Sequence, residues 1–218
     1  MKSQIVRIPW WVLTSIAVAS PTWAAVVPTV ATFAADEDNF IGSTIATVQI
    51  YASSGGNPGG HVEIRKDFGP GIDTIGTENS VWPEFLGDYA AAGVTGGGFD
   101  LNVFDTTFDT AQLRFRRNVA ENGWYFDFGA VAPNGNQWVP YDVAFDPTWS
   151  DALALGNGWQ QEADSPSFAD LMSSVGWVEV RLFNLGDAVA GVDNVRIVPE
   201  PSALALVLAG LVAVGRRR

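Results

Sequence analysis

The strongest constraint on this chain is a period-two alternation of apolar and polar residues, interrupted at short intervals by clusters of Gly, Asn, Asp and Pro. Val62 and Ile64 alternate with His61, Glu63 and Arg65, and Phe99, Leu101 and Val103 with Asp100 and Asn102. Leu113 and Phe115 precede the polar stretch Asn118–Gly123; Trp124, Phe126 and Phe128 resume the rhythm after it. Val178, Val180 and Leu182 enclose Glu179 and Arg181, while Val195 and Ile197 flank Arg196. Successive side chains of a strand point to opposite faces, so this pattern describes antiparallel strands with one buried face. Such strands must stack sheet on sheet, which predicts an all-β sandwich over residues 26–198. One short helix is expected. Ser165 can cap it, Pro166 suits its first position, Phe168, Leu171, Met172 and Val175 form its apolar stripe, and Gly176 stops it.

The two ends differ from this middle. Lys2 and Arg7 precede the apolar segment Ile8–Ser20, followed by Pro21 and the small-residue site Thr22-Trp23-Ala24-Ala25. That order predicts a signal peptide over residues 1–24, cut by signal peptidase after Ala24 or Ala25. At the other end Val198-Pro199-Glu200-Pro201-Ser202 is stiff and extended, because each Pro fixes its own φ and restricts its predecessor. Apolar or small residues run from Ala203 to Gly215, then Arg216, Arg217 and Arg218 close the chain. A helix over 203–215 is about 20 Å long against a hydrocarbon core of about 30 Å, so it anchors poorly on its own. The arginines belong on the cytoplasmic side, which leaves the middle domain outside.

This three-part tail resembles the PEP-CTERM sorting signal over residues 198–218. The resemblance implies a Gram-negative host that makes exopolysaccharide, and an exosortase in the inner membrane that cuts near Pro199-Glu200-Pro201. The protein would then pass through an inner-membrane intermediate to the cell surface or extracellular matrix. The middle has landmarks of its own: Gly56-Asn57-Pro58-Gly59-Gly60, Trp82–Asp88, Gly97–Leu101, Trp159, Phe168–Leu171, Val180-Arg181 and Gly191–Val195. In order and spacing these resemble the laminin B (domain IV) β-sandwich over about residues 50–198, which implies a jelly-roll-like fold. The stretch around Arg114–Asn118 departs from that pattern.

Charge and composition narrow the function. The middle domain carries 23 acidic residues, from Asp36 to Asp193, against seven basic ones, from Arg65 to Arg196, a net charge of −16. Such a field repels nucleic acid and leaves cations, neutral glycans or basic proteins as partners. The chain has no Cys, which rules out thiol nucleophiles and thiolate metal sites, and its single histidine, His61, cannot build a multi-histidine zinc site. No Gly-x-Ser-x-Gly turn presents a nucleophile, and Gly55–Gly60 lacks the Lys-Ser/Thr of a phosphate cradle, so it reads as a turn. No enzymatic activity is expected.

Two constellations remain. Asp36, Glu37 and Asp38 precede the first clear strand, and Asp193 stands at the start of the last one, on the face of Val195 and Ile197 by parity. An inward carboxylate needs a cation such as Ca2+ or backbone N–H donors, and both readings stay open. The hairpin Leu113–Phe128 turns Arg114, Arg116, Tyr125 and Asp127 outward, a mixture that suits a glycan groove or an ordinary charged sheet face. The sequence therefore points to a non-enzymatic exported surface or matrix protein associated with exopolysaccharide, with a lectin-like carbohydrate-binding module as the alternative.

Overall fold

In the computed structural model, which describes residues 29–66, 73–184 and 186–199, the alternating segments are strands. In chain order they are β1 (Thr29–Ala31), β2 (Ile41–Gly42), β3 (Thr47–Gly56), β4 (Gly59–Lys66), β5 (Thr74–Asn79) and β6 (Val94–Val103). The rest are β7 (Thr110–Arg116), β8 (Trp124–Asp127), β9 (Val139–Ala144), β10 (Trp159–Gln161), β11 (Trp177–Phe183) and β12 (Val189–Pro199). They form two antiparallel sheets, one ordered β3-β4-β12-β6-β9 with β1 also on β12, the other β10-β8-β7-β11-β5-β2. This is the expected jelly-roll-like β-sandwich.

Helix is more plentiful than expected. Three short α-helices are present among the described residues, α1 (Tyr89–Ala92), α2 (Asp151–Gly156) and α3 (Phe168–Met172), besides a 3-10 turn at Pro83–Phe85. The single predicted helix is α3, and its cap is corrected by two residues. Ser167 rather than Ser165 accepts the N–H of Asp170, while the Ser165 hydroxyl donates to the Gly123 carbonyl. Phe168, Leu171 and Met172 of the expected stripe are fully buried. The helix ends at Met172 with Ser173 as its C-cap, so Val175 and Gly176 lie beyond it, and Pro166 precedes the cap instead of opening the first turn. The helices α1 and α2 span only four and six residues, too short for a 3.6-residue periodicity to show in sequence. Among the described residues no helix is long and apolar enough to cross a membrane. The segments 8–20 and 203–215 lie outside them.

The core joins the sheets through aromatic side chains. The Trp159 ring stacks on Phe115 at 5.7 Å and meets Phe126, Phe145 and Phe168 edge-on at 5.4–5.8 Å between centroids. Phe115 and Phe126 come from β7 and β8, Phe145 follows β9 of the opposite sheet, and Phe168 opens α3. One indole therefore touches both layers and a helix. Each strand under it sends its other residues outward, so Leu113 and Phe115 in the core place Arg114 and Arg116 on the outer face.

The cost of removing that indole follows from its burial, since Trp159 is 1% exposed. Trp159→Ala is expected to destabilise the fold by about 3–5 kcal/mol through lost contacts and a residual cavity. Urea denaturation at constant m-value checks this; a loss below about 1 kcal/mol contradicts the central role of the ring.

Candidate functional site

Two polar clusters stand out, one on each sheet. On the first sheet, β12 pairs with β4 through Val189–Val192 and with β1 through Val195–Ile197, and a bulge separates the two stretches. Asn194, with φ of 47°, makes the bulge. The extra residue breaks the parity used in reading the sequence. Val192 and Val195 both point into the core, whereas Asp193 lies opposite Asp100 on the other face. Nor does Asp193 begin the strand, since β12 already runs from Val189.

Asp193 is nevertheless fully buried, because the β3–β4 turn folds over it. The Asn57 N–H donates to one carboxylate oxygen and the Asn194 N–H, at 2.7 Å, to the other. Asn57 also donates to Asp100 at 3.0 Å through its side-chain amide, and so does Asn194 at 2.8 Å. Arg196 completes the cluster, with bonds of 2.8 Å to both Asp100 and Asp142. Gly56 is required at this turn: a Cβ there would sit 1.9 Å from the Gly60 carbonyl and 2.8 Å from the Asp193 carboxylate. Burial, together with nearby Asp100 and Asp38, pushes the Asp193 carboxyl up to about 6, against the two N–H donors.

The acidic residues marked in the sequence do not gather into a metal centre. Asp36 accepts the Asp38 N–H at 2.9 Å, and Asp38 accepts the Phe33 N–H at 2.8 Å. Glu37 is exposed. Among the described residues no group of three or more His, Asp or Glu side chains is placed to hold a metal ion. Both Asp193 oxygens already accept backbone N–H groups, so the residues present do not fit a Ca2+ site. They fit the turn-clasp alternative.

The second cluster is the outer face of the β10-β8-β7-β11-β5-β2 sheet. Strand register sets it out in rows. Glu78, Glu179, Arg114, Tyr125 and Gln160 lie side by side across five strands. Gly76, Arg181, Gln112 and Asp127 form the next row, and Trp177 stands opposite Arg116. Arg114, Arg116, Tyr125 and Asp127 thus share one face, as the alternation requires. The sequence left out Glu179 and Arg181 although β11 alternates plainly; its pairing with β7 is what puts them here. Nothing in the sequence marks Glu162, which reaches the face from just beyond β10.

An ion-pair lattice covers this face. Arg114 is only 6% exposed; its Nη1 donates to Glu179 at 2.9 Å and its Nη2 to Glu162. Arg116 lies 3.5 Å from Glu179, and Arg181 lies 3.3 Å from Glu162. Arg181 also donates to Gln112 at 2.7 Å and 3.0 Å. Rings flank the guanidinium groups: Arg116 sits 4.4 Å over Trp177, and Arg181 5.5 Å over Tyr125 and 5.1 Å over Phe183. The Tyr125 hydroxyl donates to Gln160 at 2.9 Å. The Trp177 Nε1 and the Nε atoms of Arg114 and Arg116 are buried without a partner among the described residues.

The outer face of the β3-β4-β12-β6-β9 sheet has a smaller aromatic group, in which His61 packs edge-on against Trp138 at 5.3 Å and Phe104 at 6.3 Å. Burial lowers its pKa, so the imidazole is a neutral packing element. A cleft of about 640 Å³ opens at the end of the other sheet, between Val81, Pro83 and Leu86 and the turn Ser173–Gly176. Among the described residues no aromatic side chain lines it. Of the sorting motif, Val198 is exposed near the end of β12, and Pro199 closes the strand. Thr22, Ala24, Ala25, Glu200, Pro201, Ser202 and Arg216–Arg218 lie outside the described residues.

With both faces in view, the class of the domain is that of a jelly-roll β-sandwich with a polar, ring-bearing sheet face. Among solved structures, the family 11 carbohydrate-binding module from Clostridium thermocellum, in complex with a β-1,3-1,4-mixed-linked tetrasaccharide, is similar. It shares 13% identity over 81% of this chain and 98% of the module, with a TM-score of 0.54. An exo-β-agarase matches at 14% identity and a TM-score of 0.53 over 80% of this chain, but only 26% of its own. The agarase AgWH50C matches similarly, at 11% identity and a TM-score of 0.52 over 81% of this chain and 27% of its own. At these identities the likeness is one of fold. No protein-family model matches the chain, and no curated protein does.

Glu78 gives the face a pH signature. Burial pushes its carboxyl up to about 7; the Ser80 hydroxyl opposes this, Glu179 directly across the strand pair adds to it, and Arg116 opposes it. A carboxyl with a raised folded pKa binds more protons when folded. Its contribution to stability is therefore full below the unfolded value and lost as pH rises through about 7. Relative to Glu78→Gln, the wild type is expected to lose about 1–3 kcal/mol between pH 5 and 8. Denaturation curves of both proteins across that range check it, and parallel pH profiles would count against the raised carboxyl.

Proposed function

We propose that this chain is an exported, non-enzymatic glycan-binding module, and that it binds through the outer face of the β10-β8-β7-β11-β5-β2 sheet. The observation that carries this reading is the row structure of the face, where Tyr125 and Phe183 lie among Arg, Glu, Asp and Gln side chains. Sugars present apolar ring faces edged by hydroxyl groups, so a site for them combines aromatic surface with fixed donors and acceptors. The ion pairs hold the polar groups in place before any ligand arrives, which reduces the entropy cost of ordering them. The fold is in keeping with this, being shared with the Clostridium thermocellum module.

The test is retention of the full chain in native gels containing polysaccharide. Mixed-linkage β-glucan, xylan and agarose serve as probes. At least one is expected to retard the wild type, and Tyr125→Ala to weaken binding by tenfold or more, about 1.4 kcal/mol. Unaltered mobility with every probe would return the chain to the plainer reading of a matrix protein without a sugar ligand.

Delivery belongs to the same proposal. The signal peptide at residues 1–24 and the sorting tail at 198–218 would carry the module through an exosortase to the surface, where exopolysaccharide is the nearest glycan. Replacing Pro199 and Pro201 by Ala is expected to leave a larger, uncleaved species in the inner membrane of an exosortase-bearing host. Equal release of the variant and the wild type refutes the sorting assignment.

A further inference from the structure

We infer, building on the glycan reading, that the β10-β8-β7-β11-β5-β2 face selects neutral glycans against uronic-acid-bearing ones, and that Glu162 is the residue that sets this preference. Three guanidinium groups on one face would ordinarily suit a sugar carboxylate, since Arg presents paired N–H groups that match a carboxylate edge to edge. Here the pairs are committed. Arg114 gives Nη1 to Glu179 and Nη2 to Glu162. Arg116 gives Nη2 to Glu179 and Nη1, at 3.2 Å, to the Val119 carbonyl. Arg181 directs both Nη atoms at Glu162, and its Nε and Nη2 also bind Gln112. The nitrogens of these groups left with no partner among the described residues are the Nε of Arg114 and of Arg116, each a single buried donor that by itself cannot grip both oxygens of a carboxylate.

The balance of charge on the face points the same way. Arg114, Arg116 and Arg181 are set against Glu162, Glu179 and Asp127, with Glu78 beside Glu179. The whole middle domain carries −16. A sugar carboxylate would have to displace an acidic side chain from its arginine while approaching a negative molecule. A neutral sugar meets no such opposition, and its hydroxyl groups can bond to Asp127, Gln160 and the Tyr125 hydroxyl.

Glu162 is the hub because its position does not depend on the arginines. Its N–H donates to the Gly123 carbonyl at 3.0 Å, and its carboxylate accepts the Gly123 N–H at 2.8 Å. Backbone pairing of the β10 end with the β7–β8 loop thus fixes the carboxylate between Arg114 and Arg181. Burial alone would raise its pKa, but the Arg114 and Gly123 bonds and the nearby arginines outweigh it and hold the group ionised. Removing this one charge would free Arg114 Nη2 and Arg181 Nη1 together, while Arg181 Nη2 stays on Gln112.

The experiment compares neutral probes (mixed-linkage β-glucan, xylan, agarose) with polygalacturonate, using the full chain in affinity gels at low ionic strength. The wild type is expected to bind at least one neutral probe at least tenfold more tightly than polygalacturonate. Glu162→Gln should gain at least tenfold in polygalacturonate binding, and that gain should disappear with added salt. The double variant Arg114→Gln with Glu162→Gln, which removes cation and anion together, should lose much of the gain. Thermal melting establishes that each variant is folded, and if Glu162→Gln is not, the wild-type comparison decides alone. Polygalacturonate bound as tightly as the neutral probes, or a folded Glu162→Gln with no gain, overturns the inference while leaving the glycan reading in place. No retention by any polysaccharide overturns both.

Discussion

The contact on which the rest depends is the meeting of Trp159 with Phe115, Phe126, Phe145 and Phe168. Large rings bury much apolar area and prefer the offset and edge-on geometries seen here, so a single cluster can hold two sheets and a helix together. The outer face follows from it. With Leu113 and Phe115 committed to the core, the pleat turns Arg114 and Arg116 outward; Val178, Val180 and Leu182 do the same for Glu179 and Arg181. The ion-pair lattice is thus the reverse side of the aromatic core, on the same strands.

That lattice is an expensive arrangement for an exterior surface. Glu179 at 1% and Arg114 at 6% exposure have lost most of their water, and desolvation of such a pair commonly offsets its attraction. Stability alone therefore does not account for it. A rigid, presatisfied polar surface between Tyr125 and Phe183 suits the proposed recognition of a hydroxyl-rich ligand, and the proposed preference among sugars rests on its self-neutralisation.

On the opposite sheet the same device serves architecture. Asp193 holds the Gly55–Gly59 turn by its backbone, at the bulge where β12 passes from β4 to β1. The first and last strands of the described domain are thereby joined through main-chain pairing. A carboxylate with both oxygens occupied by N–H groups needs no cation, and the acidic residues Asp36 and Asp38 spend their own oxygens on the adjoining loop.

Much of the fold was legible in the residues themselves. Period-two alternation identified β4, β6, β7, β8, β11 and β12 and the sandwich they form, because side-chain direction in a strand depends only on position along it. It also placed Arg114, Arg116, Tyr125 and Asp127 on one face. By contrast β5 was hidden, since its buried Thr77, Glu78 and Asn79 are polar, and Thr77 and Asn79 find their partners far away in sequence. The bulge at Asn194 was hidden too, and with it the true direction of Asp193, because one inserted residue reverses parity without changing composition. Which strand lies beside which, and so the meeting of Arg114 with Glu162 and Glu179 across 48 and 65 residues of chain, was decided only by tertiary structure. Local sequence determines which way a side chain points; only the packing of whole sheets determines what it meets there.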